Sequence, residues 1–183
     1  MDFSLSQKQQ QSLLELARHT IAEKLNITSA APECADPLFD TELGAFVTLH
    51  KNHALRGCIG TIVGIRPLRE TIRQMALSAA FSDPRFPPLK ASELDEVVLE
   101  ISVLSPIESA SIDEIVIGKH GLILSKGYRR GLLLPQVATE NNWTKEEFIS
   151  HTCIKAGLSP EAWREGDYTL EKFSAFVFGE NDQ

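Results

Sequence analysis

The 183-residue chain has an ordinary globular composition, with 43% hydrophobic and 23% charged residues and a net charge of −7. A chain of this length buries enough surface to fold without disulfides or a structural metal, and its acidic balance disfavours nucleic acid and anionic membranes as partners. Its scattered cysteines, Cys34, Cys58 and Cys153, form no disulfide framework or zinc motif, and the sequence has neither a signal peptide nor an apolar run of ~20 residues, so we expect a cytoplasmic protein.

The first predicted element is a helix that follows a capping box. Ser6 and Gln9 have the spacing of such a box, and apolar residues then recur at helical spacing. This pattern predicts a helix over residues 6–25. The stretch 26–41 contains two prolines and little periodicity, which is typical of a connection.

A β-hairpin is predicted next. The first strand ends near His50, and Asn52-His53 is a plausible tight turn, although histidine adopts positive φ less readily than asparagine. The returning strand carries the sequence LRGCIG at residues 55–60. It places an arginine and a cysteine two residues apart, with Gly57 between them and Gly60 after them.

The register of this hairpin decides which side chains meet. A two-residue turn places Cys58 opposite Val47 and Arg56 opposite Leu49. Residues i and i+2 of a strand point to the same face, so Arg56 and Cys58 are expected about 6–7 Å apart on one face. A guanidinium near a thiol favours the reactive thiolate.

Helices and strands alternate without a strict βαβ pattern in the rest of the chain. A helix is predicted from Pro67 to just before Asp83, followed by a rigid proline loop. After the loop, the patterns predict a strand over 97–104 and a hairpin over 122–134. A capped helix from Thr144 to Gly157 and a last strand over 168–178 complete the chain. This order favours an α+β fold with a mainly antiparallel sheet packed with helices.

Five ordered motifs resemble the AMMECR domain family, protein A of the AmmeMemoRadiSam system: LRGCIG at 55–60, DPRFPPL at 83–89, EISVL at 100–104, GLLLPQVA at 131–138 and CIKAGL at 153–158. The resemblance covers about residues 6–178. It implies a single AMMECR-type domain over 1–183 with a larger and a smaller lobe. It also implies association with a Memo-like protein and a radical SAM enzyme, but it supplies neither an activity nor a cofactor.

Three residues are candidates for catalysis: Cys58, Arg56 and Glu100. Cys58 is a nucleophile, or alternatively a small cysteine that fills a tight strand. Arg56 lies within an apolar strand and needs an anionic partner, either Glu100 of another apolar strand or a small anionic ligand. His50 and His53 lack a clear third ligand, so no metal site is predicted.

Ligand-binding candidates surround this motif. Gly57 and Gly60 leave room for a ligand, or else for a bulge or a crowded crossing. Asp83 and Arg85 lie on the rigid loop, where they contact a ligand or merely each other. Gln136 follows Pro135, and its side chain either hydrogen-bonds a substrate amide or carbonyl or satisfies backbone groups.

These residues leave two main functions open. One is an enzyme, or an enzyme component, whose ligand pocket around LRGCIG takes a small anionic metabolite or a modified nucleotide. The alternative is a non-catalytic partner of a Memo-like protein and a radical SAM enzyme, which the lack of a recognisable triad or phosphate loop favours. RNA binding is a third hypothesis, which the acidic charge opposes.

Overall fold

The structure, a computed structural model, describes residues 3–27, 30–33 and 35–182, so Cys34 lies outside the described residues. Four α-helices and seven strands occur in this part of the chain. The helices are α1 (Gln7–Lys24), α2 (Leu68–Phe81), α3 (Pro135–Glu140) and α4 (Lys145–Lys155). The strands are β1 (Ala45–Lys51), β2 (Ala54–Thr61), β3 (Val97–Leu104), β4 (Glu108–Ser109), β5 (His120–Lys126), β6 (Arg129–Leu133) and β7 (Thr169–Gly179).

The chain divides into two compact units. The larger unit runs to Leu104 and includes the C-terminal segment from Phe176, and the smaller unit spans Ser105–Ala175. The division falls within β7, so each unit contains part of that strand.

The larger unit is built on the antiparallel strands β2, β1 and β3, with the end of β7 following β3 in the strand order. Strand alternation gives this sheet two different faces. One face carries buried aliphatic residues such as Val47, Leu49 and Ile101. Helix α2 packs on β1 and β2, while α1 packs on α2 and β3, so both helices share one hydrophobic core with that face.

The smaller unit has the antiparallel order β7, β5, β6, with β4 also paired to β7. Helix α4 packs on β5 and β6. Its start has the predicted capping box, in which Thr144 accepts from the Glu147 N–H and the Glu147 carboxylate accepts in return. Its end has Gly157 at a positive φ of 74°, the left-handed conformation that terminates many helices.

The predicted fold class is confirmed: helices pack on antiparallel strands in both units. Two of these α-helices and strands escaped prediction. Pro135 begins the short helix α3 rather than simply ending a strand, because proline suits the first turn of a helix. The two-residue strand β4 is too short to leave a period-two pattern. Among the described residues, no helix is long and apolar enough to cross a membrane.

Candidate functional site

A bulge in β2 changes the predicted hairpin register. The turn has two residues as expected, with Asn52 and His53 at positive φ values of 52° and 62°. The pairing of His50 with Leu55 also follows from that turn, but the next pair is Leu49 with Gly57. Arg56 is therefore the extra residue of a β-bulge.

The bulge moves Cys58 one position along β1. Cys58 lies opposite Thr48, so the predicted pairing with Val47 is wrong. The same bulge separates Arg56 from Cys58. Arg56 binds the carboxylate that also binds Lys51, whereas Cys58 contacts Thr48. Lys51 and Thr48 are three positions apart in one strand and face opposite ways, so Arg56 and Cys58 do not share a face as predicted.

Arg56 belongs to an ion-pair cluster, which we define as Arg56, Lys51, Glu93 and Glu96. The Glu93 carboxylate accepts from Arg56 Nε and Nη2, both at 3.1 Å, and from Lys51 Nζ at 3.2 Å. Lys51 also contacts Glu96 at 2.9 Å. The Arg56 guanidinium is the main reason that the pKa of Glu93 falls from 4.5 to about 2. Of the two partners left open for Arg56, Glu100 is therefore not the one found, because Glu93 accepts from Nε and Nη2 of the guanidinium.

Cys58 belongs to a different group on the other face, the Cys58 row, which we define as Cys58, Thr48 and Glu100. Thr48 is opposite Cys58 on one side and opposite Glu100 on the other. Its hydroxyl donates to Cys58 Sγ at 3.2 Å. Cys58 and Glu100 are half-buried, and α2 packs on the opposite face of the sheet. The row thus places a thiol, a hydroxyl and a carboxylate across three strands on the more open face.

A pocket of about 440 Å³ adjoins the Glu100 end of the row. Its polar lining consists of His50, Asn52, His53, Glu100 and Asn181. His50 Nε2 lies 4.0 Å from Glu100 Oε1, close enough for an ionic contact when the imidazole is protonated but too far for a hydrogen bond. The pocket therefore offers a carboxylate, imidazoles and side-chain amides to a ligand with several hydrogen-bonding groups.

The proline loop fixes the backbone of Cys58. Asp83 Oδ2 accepts from the Cys58 N–H at 2.9 Å, and Arg85 Nη2 donates to the Cys58 carbonyl at 3.1 Å. Asp83 also accepts from the Arg85 backbone N–H and from its side chain. The pKa of the buried Asp83 carboxyl lies well below its usual range, and the hydrogen bond from the Arg85 side chain is the largest cause. Asp83 and Arg85 thus form a brace on the peptide of Cys58.

The two glycines of the motif face neighbouring protein atoms. A Cβ at Gly57 would overlap the carbonyl oxygen of Ala79 in α2, and a Cβ at Gly60 would overlap the ring of Phe46. These contacts support the alternatives of a crowded crossing and a bulge given above. The space beside each glycine is filled by protein in this structure.

Gln136 lies in the smaller unit, on the exposed first turn of α3. Its backbone carbonyl accepts from the Thr139 hydroxyl at 2.8 Å, a contact within that helix. This contact uses the main chain of Gln136, and any residue at this position could make it. Cys153 of the same unit is fully buried, and burial raises the pKa of its thiol.

Sequence reasoning missed the two residues that organise these groups. Thr48 connects Cys58 with Glu100, and the alternation of β1 alone does not identify it, because the bulge sets its partner. Glu93 lies in a segment for which no element was predicted, and only its short helical turn, Ala91–Glu96, brings it to Arg56. No cluster of three or more potential metal ligands occurs in the described part of the chain.

The family model AMMECR1 matches residues 14–178. A protein of Methanothermobacter thermautotrophicus is 41% identical over 186 residues, with 97% of each chain covered. A protein of Thermococcus onnurineus is 44% identical over 181 residues, which cover 92% of this chain and 88% of that protein.

The chain is also similar to a solved structure. The crystal structure of the uncharacterized protein PH0010 from Pyrococcus horikoshii superposes with a TM-score of 0.77 at 40% sequence identity. The match covers 97% of this chain and 94% of that one.

Proposed function

The chain belongs to the AMMECR1 family, and we propose that it binds a small molecule on the open face of its larger unit, where Cys58 acts as a nucleophile or a proton donor. The observation that carries the proposal is the Cys58 row. It aligns a thiol, the hydroxyl that hydrogen-bonds it and a carboxylate across three strands, beside a pocket that Glu100 also lines.

The pocket indicates the kind of ligand. Its described lining includes Glu100, two histidines and two asparagines, but neither lysine nor arginine. A ligand with amine or amide N–H groups at this end is favoured, because the carboxylate accepts hydrogen bonds and attracts positive charge. An anionic ligand was one of the two partners considered for Arg56, but Glu93 occupies Nε and Nη2 of that guanidinium, and the remaining Nη1 is buried.

Each residue of the row has a chemical role in this proposal. The thiolate is the reactive form of cysteine, and the Thr48 hydroxyl stabilises it by donating to Sγ. Glu100, with His50 beside it, accepts or supplies a proton on the ligand. A reduced thiol requires a reducing compartment, which agrees with the proposed cytoplasmic location.

Alkylation kinetics test the thiol directly. Iodoacetamide is added at neutral pH, and mass spectrometry of the Cys58 peptide gives its own rate constant. We expect Cys58 to react faster than free cysteine and far faster than buried Cys153, which serves as the internal control. A rate no higher than that of free cysteine contradicts the nucleophile role.

A ligand screen tests the pocket separately. Metabolites with amine or amide groups are added to the wild type and to the Glu100→Gln variant, and thermal unfolding is recorded. We expect hits that raise the unfolding temperature of the wild type and lose their effect in Glu100→Gln, because the neutral side chain attracts amines less. Hits that stabilise both proteins equally bind elsewhere and contradict the proposed pocket.

A second candidate is a non-catalytic role in an assembly with a Memo-like protein and a radical SAM enzyme. One observation favours it: the described contacts give the Cys58 thiol a hydroxyl neighbour rather than an imidazole. A general base for this thiol then has to come from the ligand or from another protein. Copurification from native cells tests this candidate, and turnover by the isolated chain contradicts it.

A further inference from the structure

We propose that Arg85 anchors an anionic group, a carboxylate or a phosphate, of the molecule that meets Cys58. The inference rests on the proposed function and adds to it a binding group for the other end of the ligand. It transfers the role expected of Arg56 to a second arginine on the proline loop. The guanidinium of Arg85 is held against the backbone of the same residue that carries the thiol, at 3.1 Å from its carbonyl oxygen.

The hydrogen bonds of Arg85 leave one end of its guanidinium available. Nε donates to Asp83 Oδ1 at 3.0 Å, and Nη2 donates to Asp83 Oδ2 at 2.7 Å and to the Cys58 carbonyl. Three of the five N–H donors are thus used. The two donors on Nη1 have no acceptor within the described residues, and each can donate a single hydrogen bond to an anionic oxygen.

The two partners of the Asp83–Arg85 ion pair differ in their exposure to solvent. The Asp83 side chain is only 1% exposed, whereas that of Arg85 is 54% exposed. The negative end of the pair therefore lies inside the protein and the positive end faces solvent. The described donors to the Asp83 carboxylate are the Arg85 backbone and side chain and the Cys58 N–H, so the carboxylate orients the guanidinium toward the solvent side.

The loop makes this arrangement rigid before a ligand binds. Pro84, Pro87 and Pro88 restrict the backbone around Arg85, and the guanidinium lies 5.6 Å from the ring centroid of Phe86. A group that is already ordered loses little entropy when it binds an anion. Of the other two cations near the hairpin, Lys51 is engaged with Glu93 and Glu96. Arg56 donates to Glu93 through Nε and Nη2, and its Nη1, which has no partner within the described residues, is buried, whereas the Arg85 side chain is 54% exposed.

Two alkylating reagents that differ mainly in charge test the proposal. Iodoacetate is anionic and iodoacetamide is neutral, and both transfer a carbon to the thiolate with loss of iodide. The measured quantity is the rate constant of iodoacetate at Cys58 divided by that of iodoacetamide. Each rate constant is followed on the Cys58 peptide at low salt. Dividing the two rates removes any general change in the reactivity or exposure of the thiol.

The variants separate charge from structure. Arg85→Gln removes the cation, and Arg85→Lys keeps it without the planar fork. The matched control is Arg66→Gln, the same substitution at another arginine of the larger unit, whose guanidinium donates to Gln74. A melting curve for each variant verifies that it is folded.

We expect the wild-type ratio to exceed that of free cysteine by about fivefold, the size of one close charge pair in water. Arg85→Gln should return it to the free-cysteine value, Arg85→Lys should keep most of the increase, and Arg66→Gln should leave it unchanged. Inorganic phosphate should slow iodoacetate selectively in the wild type. A ratio that is the same in the wild type and in Arg85→Gln overturns the proposal.

The outcome for the anchor is distinguishable from that for the thiol. Slow alkylation by both reagents with a high ratio contradicts the nucleophile role of Cys58 and supports the anion site. Fast alkylation by both reagents with an unchanged ratio in Arg85→Gln supports the reactive thiol and contradicts the anchor.

Discussion

Two faces of one strand of the larger unit have different chemistry. On the helix-covered side of β2, Arg56 joins Lys51 and Glu93 in the ion-pair cluster. On the open side, the Cys58 thiol accepts a hydrogen bond from the Thr48 hydroxyl and shares its row with Glu100. The first arrangement pairs charged groups with one another, although Arg56 Nη1 is buried without a partner among the described residues. The second leaves polar groups accessible to a ligand. The charged residue of the motif therefore stabilises the hairpin, while the smaller polar residue is the better candidate for function.

The largest effect should come from breaking the ion-pair cluster. Arg56→Ala leaves Glu93 without its main partner, and the pair is largely buried, with side-chain exposures of 11% and 17%. We expect a loss of about 3 kcal/mol in the free energy of unfolding, measured in urea. The matched control is Arg130→Ala, which breaks a pair that is 51% exposed at arginine and should cost less than about 1 kcal/mol.

The comparison would fail if Arg56→Ala lowered the alkylation rate of Cys58 while leaving stability unchanged. Such a result would place Arg56 in the functional site despite the bulge.

The two glycines offer the next test, because each is crowded from a different direction. Gly57→Ala forces a methyl group against the Ala79 backbone of α2, so we expect a loss of about 2 kcal/mol in unfolding free energy. Gly60→Ala overlaps the ring of Phe46 at Cγ and Cδ1 and also the Ala45 carbonyl oxygen, so it should cost a similar amount. Thermal or urea unfolding of both variants measures the losses, and wild-type stability in either variant would contradict the crowding at that glycine.

Acid should weaken the ion-pair cluster progressively. The pKa of Glu93 is about 2 in the folded protein against an ordinary value of 4.5, so the unfolded chain binds its proton first. The stabilisation is complete above pH 4.5 and is lost as the pH falls toward 2. Urea unfolding across this range measures the slope. The Glu93→Gln variant should show a shallower slope, and an unchanged slope would exclude Glu93 as the cause.

The smallest effect on stability should come from the open face. Thr48→Val removes the hydroxyl that donates to Cys58 Sγ at nearly constant size, and we expect a loss of about 1 kcal/mol or less. The alkylation rate at neutral pH should fall about fivefold, since the thiolate loses a hydrogen bond. Thr48→Ser keeps the hydroxyl and should retain most of the rate. A Thr48→Val variant with the wild-type alkylation rate would show that the Thr48 hydroxyl does not change the reactivity of the Cys58 thiol.

Local patterns predicted most of the elements of this fold. The strand over 97–104 and the capped helix after Thr144 have strong signals in alternation and in capping residues, and both occur as expected. The turn at Asn52-His53 was also predicted, although histidine is an unusual residue at positive φ.

The candidate site was harder to predict because it depends on register and on distant residues. A bulge at a non-glycine residue has no reliable sequence signature, and one extra residue changes which side chains share a face. The alternation of the motif therefore misplaced Arg56 relative to Cys58, and the functional role of Cys58 stays a prediction. The choice of Glu93 over Glu100 as its partner depends on how the segment before β3 packs, which no local pattern encodes.

The brace on Cys58 has a consequence for how the protein behaves at high concentration. β2 is the terminal strand in the hydrogen-bonded order of the larger unit, and such a strand is where a second chain can pair and start aggregation. Asp83 and Arg85 occupy both the N–H and the carbonyl of Cys58. An incoming strand would have to displace this loop before it could bond to β2 at Cys58. The proline loop therefore blocks pairing of a second chain with the edge strand β2 at Cys58, and it does so independently of any ligand of the thiol.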